Sequence, residues 1–185
     1  MSASFETLYR RQTDPWGFAT RQYERDRYRT ILDALLRPCY ANAYEPGCSI
    51  GELTVQLAPR CSHLTALDIA PSAVERARRR CAQQPHVEIH CEDVITHPRP
   101  GPFDLIILSE LGYYFEPEEL GSLALVLSDA LDPGGELVAA HWLGRSEDHV
   151  LHGDAVHATL YSHLPLRWIK GARYGGFRID SWRRA

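Results

Sequence analysis

The sequence predicts an α/β fold, a mostly parallel sheet wrapped by helices. Three observations carry that expectation. From about residue 40 to residue 140, short apolar runs alternate with segments of helical periodicity. The run 103–109 (FDLIILS) is apolar almost throughout, as a strand covered on both faces requires. Glycines or carboxylates stand where most of those runs end, at the edge where open α/β sheets bind ligands.

The elements follow in order. The first twenty residues are polar with interspersed aromatics (Phe5, Tyr9, Trp16, Phe18), and Asp14-Pro15-Trp16-Gly17 reads as a turn. Tyr28, Ile31, Leu32 and Leu35 share one helical face, and Arg37-Pro38 ends that helix. Residues 43–45 form a short strand that enters a loop with glycines at 47 and 51, and a helix starts at Glu52. Residues 63–68 form a strand ending on Asp68. Ser72 and Glu75 have capping-box spacing for the next helix. Strands are expected at 87–91, 103–109 and 136–140, and a helix at about 117–131. Asp154 is placed to cap a late helix. Residues 167–169 and 177–180 are spaced to pair as a closing hairpin.

The bulk properties bound the function. A chain of 185 residues with 44% apolar and 24% charged residues suits one soluble domain. The net charge of −4 and the lack of a basic stripe argue against a nucleic-acid partner. The cluster Arg76, Arg78, Arg79, Arg80 reads as a solvated helix face. Five cysteines without CxxC spacing suggest neither a zinc site nor a disulfide framework. His149, His152 and His157 are poorly spaced for a metal on one helix face, so no metal is expected. No apolar run marks a signal peptide or a membrane span, and a cytoplasmic location is expected.

The chemistry concentrates at Glu45-Pro46-Gly47-Cys48-Ser49-Ile50-Gly51. Gly47 and Gly51 bracket a strand-to-helix turn that lets a ligand approach the backbone. Asp68 follows about 20 residues on, where a carboxylate can accept both hydroxyls of a ribose. The loop lacks GxGxxG and has Ser49 and Glu52 instead. An acid at that helix start repels a pyrophosphate, which disfavours a dinucleotide. S-adenosylmethionine carries no phosphate, and its ammonium and sulfonium suit Glu45.

In order along the chain, Glu45-x-Gly47-x-x-x-Gly51, Asp68, Glu92-Asp93, Phe103-Asp104-Leu105-Ile106 and Leu131-x-Pro133-Gly134-Gly135 resemble the motifs of class I S-adenosylmethionine-dependent methyltransferases. The flanks are similar to the nodulation protein S branch: Asp14-Pro15-Trp16, Tyr23-Glu24-Arg25-x-Arg27-Tyr28, His141-Trp142 and Gly153-Asp154-x-Val156-His157. That branch includes an N-methyltransferase acting on the free amine of a deacetylated chitooligosaccharide. Pro46 and Cys48 depart from the more usual residues of the glycine loop.

The resemblance implies a Rossmann-like, mostly parallel seven-stranded sheet with an antiparallel C-terminal strand. It implies one domain over 1–185, with an N-terminal lid and helix (1–37), a cofactor core (42–141) and an acceptor-side region (142–185). Glu45, Gly47, Cys48, Ser49 and Gly51 would hold the methionine end of the cofactor. Asp68 would bind ribose, Ile69 would pack on adenine, and Glu92, Asp93 and Val94 would lie beside the adenine amine. Ser109 and Glu110 would line the space near the sulfonium. Trp16 is expected in a lid, and Arg27 at the cofactor carboxylate.

Glu110 is expected to position the acceptor and His141 to handle its proton, because an amine must be neutral to attack. Tyr113, Tyr114, Trp142 and His157 complete the acceptor side. The expected function is methyl transfer from S-adenosyl-L-methionine to an amine of a small molecule, such as an amino sugar or another specialised metabolite, with S-adenosyl-L-homocysteine as product. An O-methyltransferase and a non-catalytic adenosylmethionine-binding module remain open alternatives.

Overall fold

The structure is a computed structural model describing residues 2–185, with side chains from residue 4 onward. Its described elements include six α-helices and seven strands. They fall into two compact units, Met1–Pro98 and Arg99–Ala185.

The first unit contains α1 (Ser2–Arg11), α2 (Gln22–Ala34), β1 (Tyr40–Pro46), α3 (Glu52–Leu57), β2 (Cys61–Asp68), α4 (Pro71–Arg80) and β3 (Val87–Cys91). β1 pairs parallel with β2, and β2 parallel with β3. The register sets Glu45 opposite Ala66 and Asp68 opposite Cys91. Parallel pairing brings the C-terminal ends of all three strands to one edge, so Glu45, Asp68 and Glu92 collect there.

The second unit contains β4 (Phe103–Ser109), a 3₁₀ turn (Gly112–Tyr114), α5 (Pro117–Ala130), β5 (Leu131–Trp142), α6 (Gly153–His163), β6 (Arg167–Arg173) and β7 (Phe177–Arg183). β4 and β5 are parallel, β7 runs antiparallel to β5, and β6 antiparallel to β7. Residues 105–108 of β4 are wholly buried, in keeping with their unbroken apolar run. β6 lies at the end of the strand order and is largely exposed. Its Arg167, Lys170 and Arg173 blunt that open edge.

Several local expectations differ from the structure. The polar first segment, which carries no strong helical pattern, forms α1 because it packs on α4. The capping box at Ser72 and Glu75 does not form. Pro71 takes the first helical turn, and Glu6 of α1 supplies the cap from afar. Glu6 accepts from the Ser72 amide at 2.9 Å and from the Ser72 hydroxyl at 2.8 Å, while Glu75 pairs with Arg79. A capping box forms instead at Glu116 and Glu119 of α5. Asp154 lies inside the first turn of α6, and His152 is the cap, accepting from the Asp154 amide.

The basic cluster is also more than a solvated face. Arg76 donates to the Tyr9 carbonyl, Arg78 to the Ile89 carbonyl and Arg80 to the Ile50 carbonyl. Glu6→Ala removes a cap made across helices. It is expected to lower the unfolding free energy by about 1 kcal/mol, measured by urea denaturation. No change would mean that another group takes over the Ser72 amide.

Candidate functional site

In the first unit, the site grows from the turn between β1 and α3. The Gly47 and Cys48 amides both donate to the Leu67 carbonyl, at 2.7 and 2.8 Å, which ties the loop to the end of β2. Gly51 sits at φ 80°, and a Cβ there would lie 2.9 Å from Cα of Ala77 in α4. Only glycine meets both demands. Ser49 also adopts positive φ, at 51°, and this orients its amide toward Asp68.

The two carboxylates of this edge differ in their partners. Asp68 accepts the Ser49 amide on Oδ2 and the Ala70 amide on Oδ1, both at 2.9 Å. Burial raises its pKa to about 6, against the pull of those amides. Each oxygen retains a second lone pair for a ligand hydroxyl. Glu45 is buried at 3% exposure, and its Oε2 makes no hydrogen bond among the described residues. Burial pushes its pKa up to about 8; the neighbouring Thr54 hydroxyl opposes this, and the charge of Asp68 adds to it. Two acids brought together at low dielectric call for a cationic partner.

The remaining expected residues fall around this pair. Ile69 is half-buried beside Asp68, and Val94 is buried. Glu92 follows β3, with its amide on the Asp68 carbonyl. Asp93 accepts the Ile95 amide. Cys48 is buried. Its thiol packs in an apolar cluster of Ala66, Val74, Ala77, Cys81 and Ile89, its amide donates to the Leu67 carbonyl and its carbonyl accepts the Gly51 amide. Arg27 is expected at the cofactor carboxylate. It is 1% exposed and ion-paired with Glu24, one helical turn away, beneath the rings of Phe18, Tyr23 and Tyr28. A charge so sealed and paired is a structural centre of the N-terminal segment.

Trp16 stacks on Phe18 at 5.5 Å and meets the edge of Tyr9. Tyr9 and Ser49 share a 2.5 Å hydrogen bond, which sets this aromatic group on the glycine loop. Tyr9 and Arg80 are contacts that sequence reasoning missed. Arg80 bonds the Ile50 carbonyl and Glu52 together, and no local pattern advertises a partner so distant in sequence.

The second unit carries a separate constellation at the C-terminal ends of β4 and β5. Ser109 ends β4. Glu110 follows at φ 55° and accepts the Trp142 amide at 2.7 Å. Tyr113 and Tyr114 meet edge to face at 5.0 Å.

His141, expected to handle the acceptor proton, is fully buried and both its ring nitrogens are used. The Gly112 amide donates to its Nε2 at 3.1 Å. The proton of the neutral ring therefore lies on Nδ1, which donates to His157 Nε2 at 3.2 Å. His157 Nδ1 in turn donates to Asp180 Oδ2 at 2.6 Å. Burial pushes the His157 pKa down, against the pull of Asp180, so the ring stays neutral. Burial alone would raise Asp180, but hydrogen bonds from His157, Arg178 and Trp168 hold it below the ordinary value. His157, expected on the acceptor side, is wholly buried.

Asp180 is the residue of this chain that the sequence did not single out. Polar residues flank it along β7 at Arg178, Ser181 and Arg183, so nothing in the local pattern marks it as buried.

Comparison with known proteins identifies the family and the fold. A family model described as Nodulation protein S (NodS) matches residues 4–164. Nodulation protein S of Rhizobium tropici is 37% identical over 127 residues, 68% of this chain and 53% of that protein. Its namesake from Sinorhizobium fredii (strain NBRC 101917 / NGR234) is 34% identical over 156 residues, 82% of this chain and 72% of that protein. The matches to curated relatives thus span from about half to about three quarters of their length. Among solved structures, N-methyltransferase NodS from Bradyrhizobium japonicum WM9 in complex with S-adenosyl-L-homocysteine superposes with a TM-score of 0.86. It is 25% identical, and the match covers 99% of this chain and 97% of that chain.

Proposed function

The chain belongs to the nodulation protein S family, and from that premise we propose that it transfers a methyl group from S-adenosylmethionine to an amine of a small-molecule acceptor. It has the Rossmann-like fold of that family. An amino sugar is the acceptor class the resemblance favours. The observation that carries the cofactor assignment is the buried Glu45 carboxyl, whose Oε2 lacks a hydrogen bond among the described residues and lies near Asp68. A ligand with both a cation and a vicinal diol satisfies this pair.

The bound cofactor supplies an activated methyl group on sulfur; the chain supplies position, charge and exclusion of water. Glu45 would hold the cationic methionine end beside Gly47 and the Ser49 backbone. Asp68 would take the ribose hydroxyls, with Ile69, Asp93 and Val94 around the adenine. The aromatic group of Trp16, Phe18 and Tyr9 would shield the loop from water. Glu110, Ser109 and Tyr114 would receive the acceptor. Five free cysteines among the described residues fit a reducing compartment, and we place the protein in the cytoplasm.

The sign of the Glu45 linkage gives a test. Its carboxyl holds a proton up to about pH 8 in the free protein, whereas a cation beside it favours the carboxylate. Binding therefore releases a proton, and affinity should rise with pH toward 8. The slope should approach, and not exceed, about tenfold per pH unit. Calorimetry with S-adenosylhomocysteine in two buffers of different ionisation heat reads the proton directly. Glu45→Gln should flatten the dependence between about pH 6 and 8. An unchanged slope in that variant would remove Glu45 from the site.

The transfer itself is tested with labelled S-adenosylmethionine. The acceptors are a mono-deacetylated chitotetraose and its fully acetylated counterpart. Label is expected only in the first; label in both would indicate a hydroxyl acceptor.

A further inference from the structure

An amine acceptor arrives protonated near neutral pH and must lose that proton before it attacks. The buried pair His141 and His157 cannot take it, because the hydrogen-bond chain to Asp180 occupies both rings. His152 is also committed, to the Leu143 carbonyl and the Asp154 amide. His149 differs from these three. Among the described residues its ring nitrogens make no hydrogen bond, and Asp148 approaches Nε2 only to 4.0 Å.

His149 is nevertheless held in place. Its ring stacks on Tyr113 with centroids 3.8 Å apart and planes 16° apart. Tyr114 meets it edge-on at 5.2 Å and Trp142 at 6.1 Å. The amides of Val150 and Leu151 both donate to the Tyr113 carbonyl, so the loop and the 3₁₀ turn move as one piece. The side chain is 8% exposed, which leaves a path for a proton. An imidazole clamped between rings with open nitrogens is preorganised for proton transfer and has no structural bond to lose.

We propose that His149 is the catalytic residue that takes the proton from the acceptor ammonium; this rests on the amine-acceptor reading above. One nitrogen of His149 receives the proton from the R–NH₃⁺ group and becomes imidazolium, leaving R–NH₂. The amine lone pair then forms the N–C bond to the methyl carbon as the S–C bond breaks, and that electron pair returns to sulfur. The product is R–NH₂⁺–CH₃ with a neutral thioether, and the imidazolium later yields its proton to water.

The groups facing the ring fit this cycle. Burial lowers the His149 pKa and keeps the ring neutral as acceptor. The charges of Asp148 and Glu110 favour the imidazolium once formed, and His152 opposes it. Tyr113, Tyr114 and Trp142 add no charge.

The test uses the full chain, labelled S-adenosylmethionine and mono-deacetylated chitotetraose, with kcat and KM measured from pH 5.5 to 9. His149→Asn is expected to lower kcat about 100-fold. S-adenosylhomocysteine affinity should be unchanged, and the acidic limb of the profile, set by His149 protonation in the unsubstituted protein, should move to the ionisation of the acceptor amine itself. Added imidazole should restore part of the rate. His149→Phe keeps the stack on Tyr113 without a basic nitrogen and should remain as slow as His149→Asn. Near-normal kcat in His149→Phe would assign the ring a packing role and overturn the proposal. So would a normal kcat with an intact acidic limb in His149→Asn. If the unsubstituted protein methylates only hydroxyls, the amine reading falls and this proposal falls with it. If it methylates the amine and His149→Asn does so equally well, the proposal alone falls.

Discussion

Asp68→Ala is expected to weaken S-adenosylhomocysteine binding about 100-fold, a loss of about 3 kcal/mol. The size follows from what the carboxylate does. It is 9% exposed at the end of β2 and would accept two ribose hydroxyls while bonding the Ser49 and Ala70 amides. The alanine variant leaves the hydroxyls without a charged acceptor and frees the loop that Ser49 anchors. Asp68→Asn keeps one oxygen and should lose less, about tenfold.

The free protein should respond in the opposite sense. Asp68 has its pKa raised to about 6, so its folded form holds a proton that the unfolded chain releases near pH 4. Its contribution to stability is complete below about pH 4 and is lost as pH rises through 6. At neutral pH the ionised carboxylate is therefore a cost carried for binding. Asp68→Asn should lose affinity without losing thermal stability at pH 7.5. Unchanged affinity in Asp68→Ala, read by calorimetry, would place the cofactor elsewhere.

Asp180→Ala is expected to cost about 3–5 kcal/mol of unfolding free energy, the range for removing one member of a buried charged network. Asp180 is 2% exposed and accepts from His157, Arg178 and Trp168. Without it, the His157 and Trp168 N–H groups and the Arg178 guanidinium all lose their acceptor. The effect should travel further. His157 orients His141, and His141 holds the Gly112 amide at the turn that carries Tyr113 and Tyr114.

The fold accommodates this chain with two glycines. A Cβ at Gly171 would lie 1.9 Å from Asp180 Oδ1, and one at Gly112 would lie 2.9 Å from His141 Nε2. Because hydrogen bonds hold Asp180 below its ordinary pKa, its stabilisation is present above about pH 4 and fades as the pH falls. Chemical denaturation at pH 7.5 and well below pH 4 should show a smaller difference between wild type and variant at the lower pH. A loss under 1 kcal/mol at pH 7.5 would mean that water replaces the carboxylate.

Much of the architecture was legible before any coordinates. β4 announced itself because a strand buried on both faces has no polar alternation to hide. The run ending on Asp68 and the glycines at 47 and 51 marked the ligand edge, because parallel strands bring their C-terminal ends together. The loop chemistry, with Glu45 and no third glycine, pointed to a cationic ligand over a pyrophosphate.

The sequence by itself thus determined the elements from α2 onward, the parallel edge and the polarity of the cofactor loop, while α1 was left to packing on α4. These depend on local pattern and on residue chemistry within a turn. Tertiary structure decided the partners. Arg27 went to Glu24 and Cys48 into an apolar cluster, and Glu6 rather than Glu75 capped the Ser72 amide. His141 and His157 were drawn into the core, while His149 was left with open nitrogens among aromatic rings. The physical reason is range: periodicity reports a side chain's face within its own element, whereas a hydrogen-bond partner 16, 23 or 66 residues away is chosen by packing.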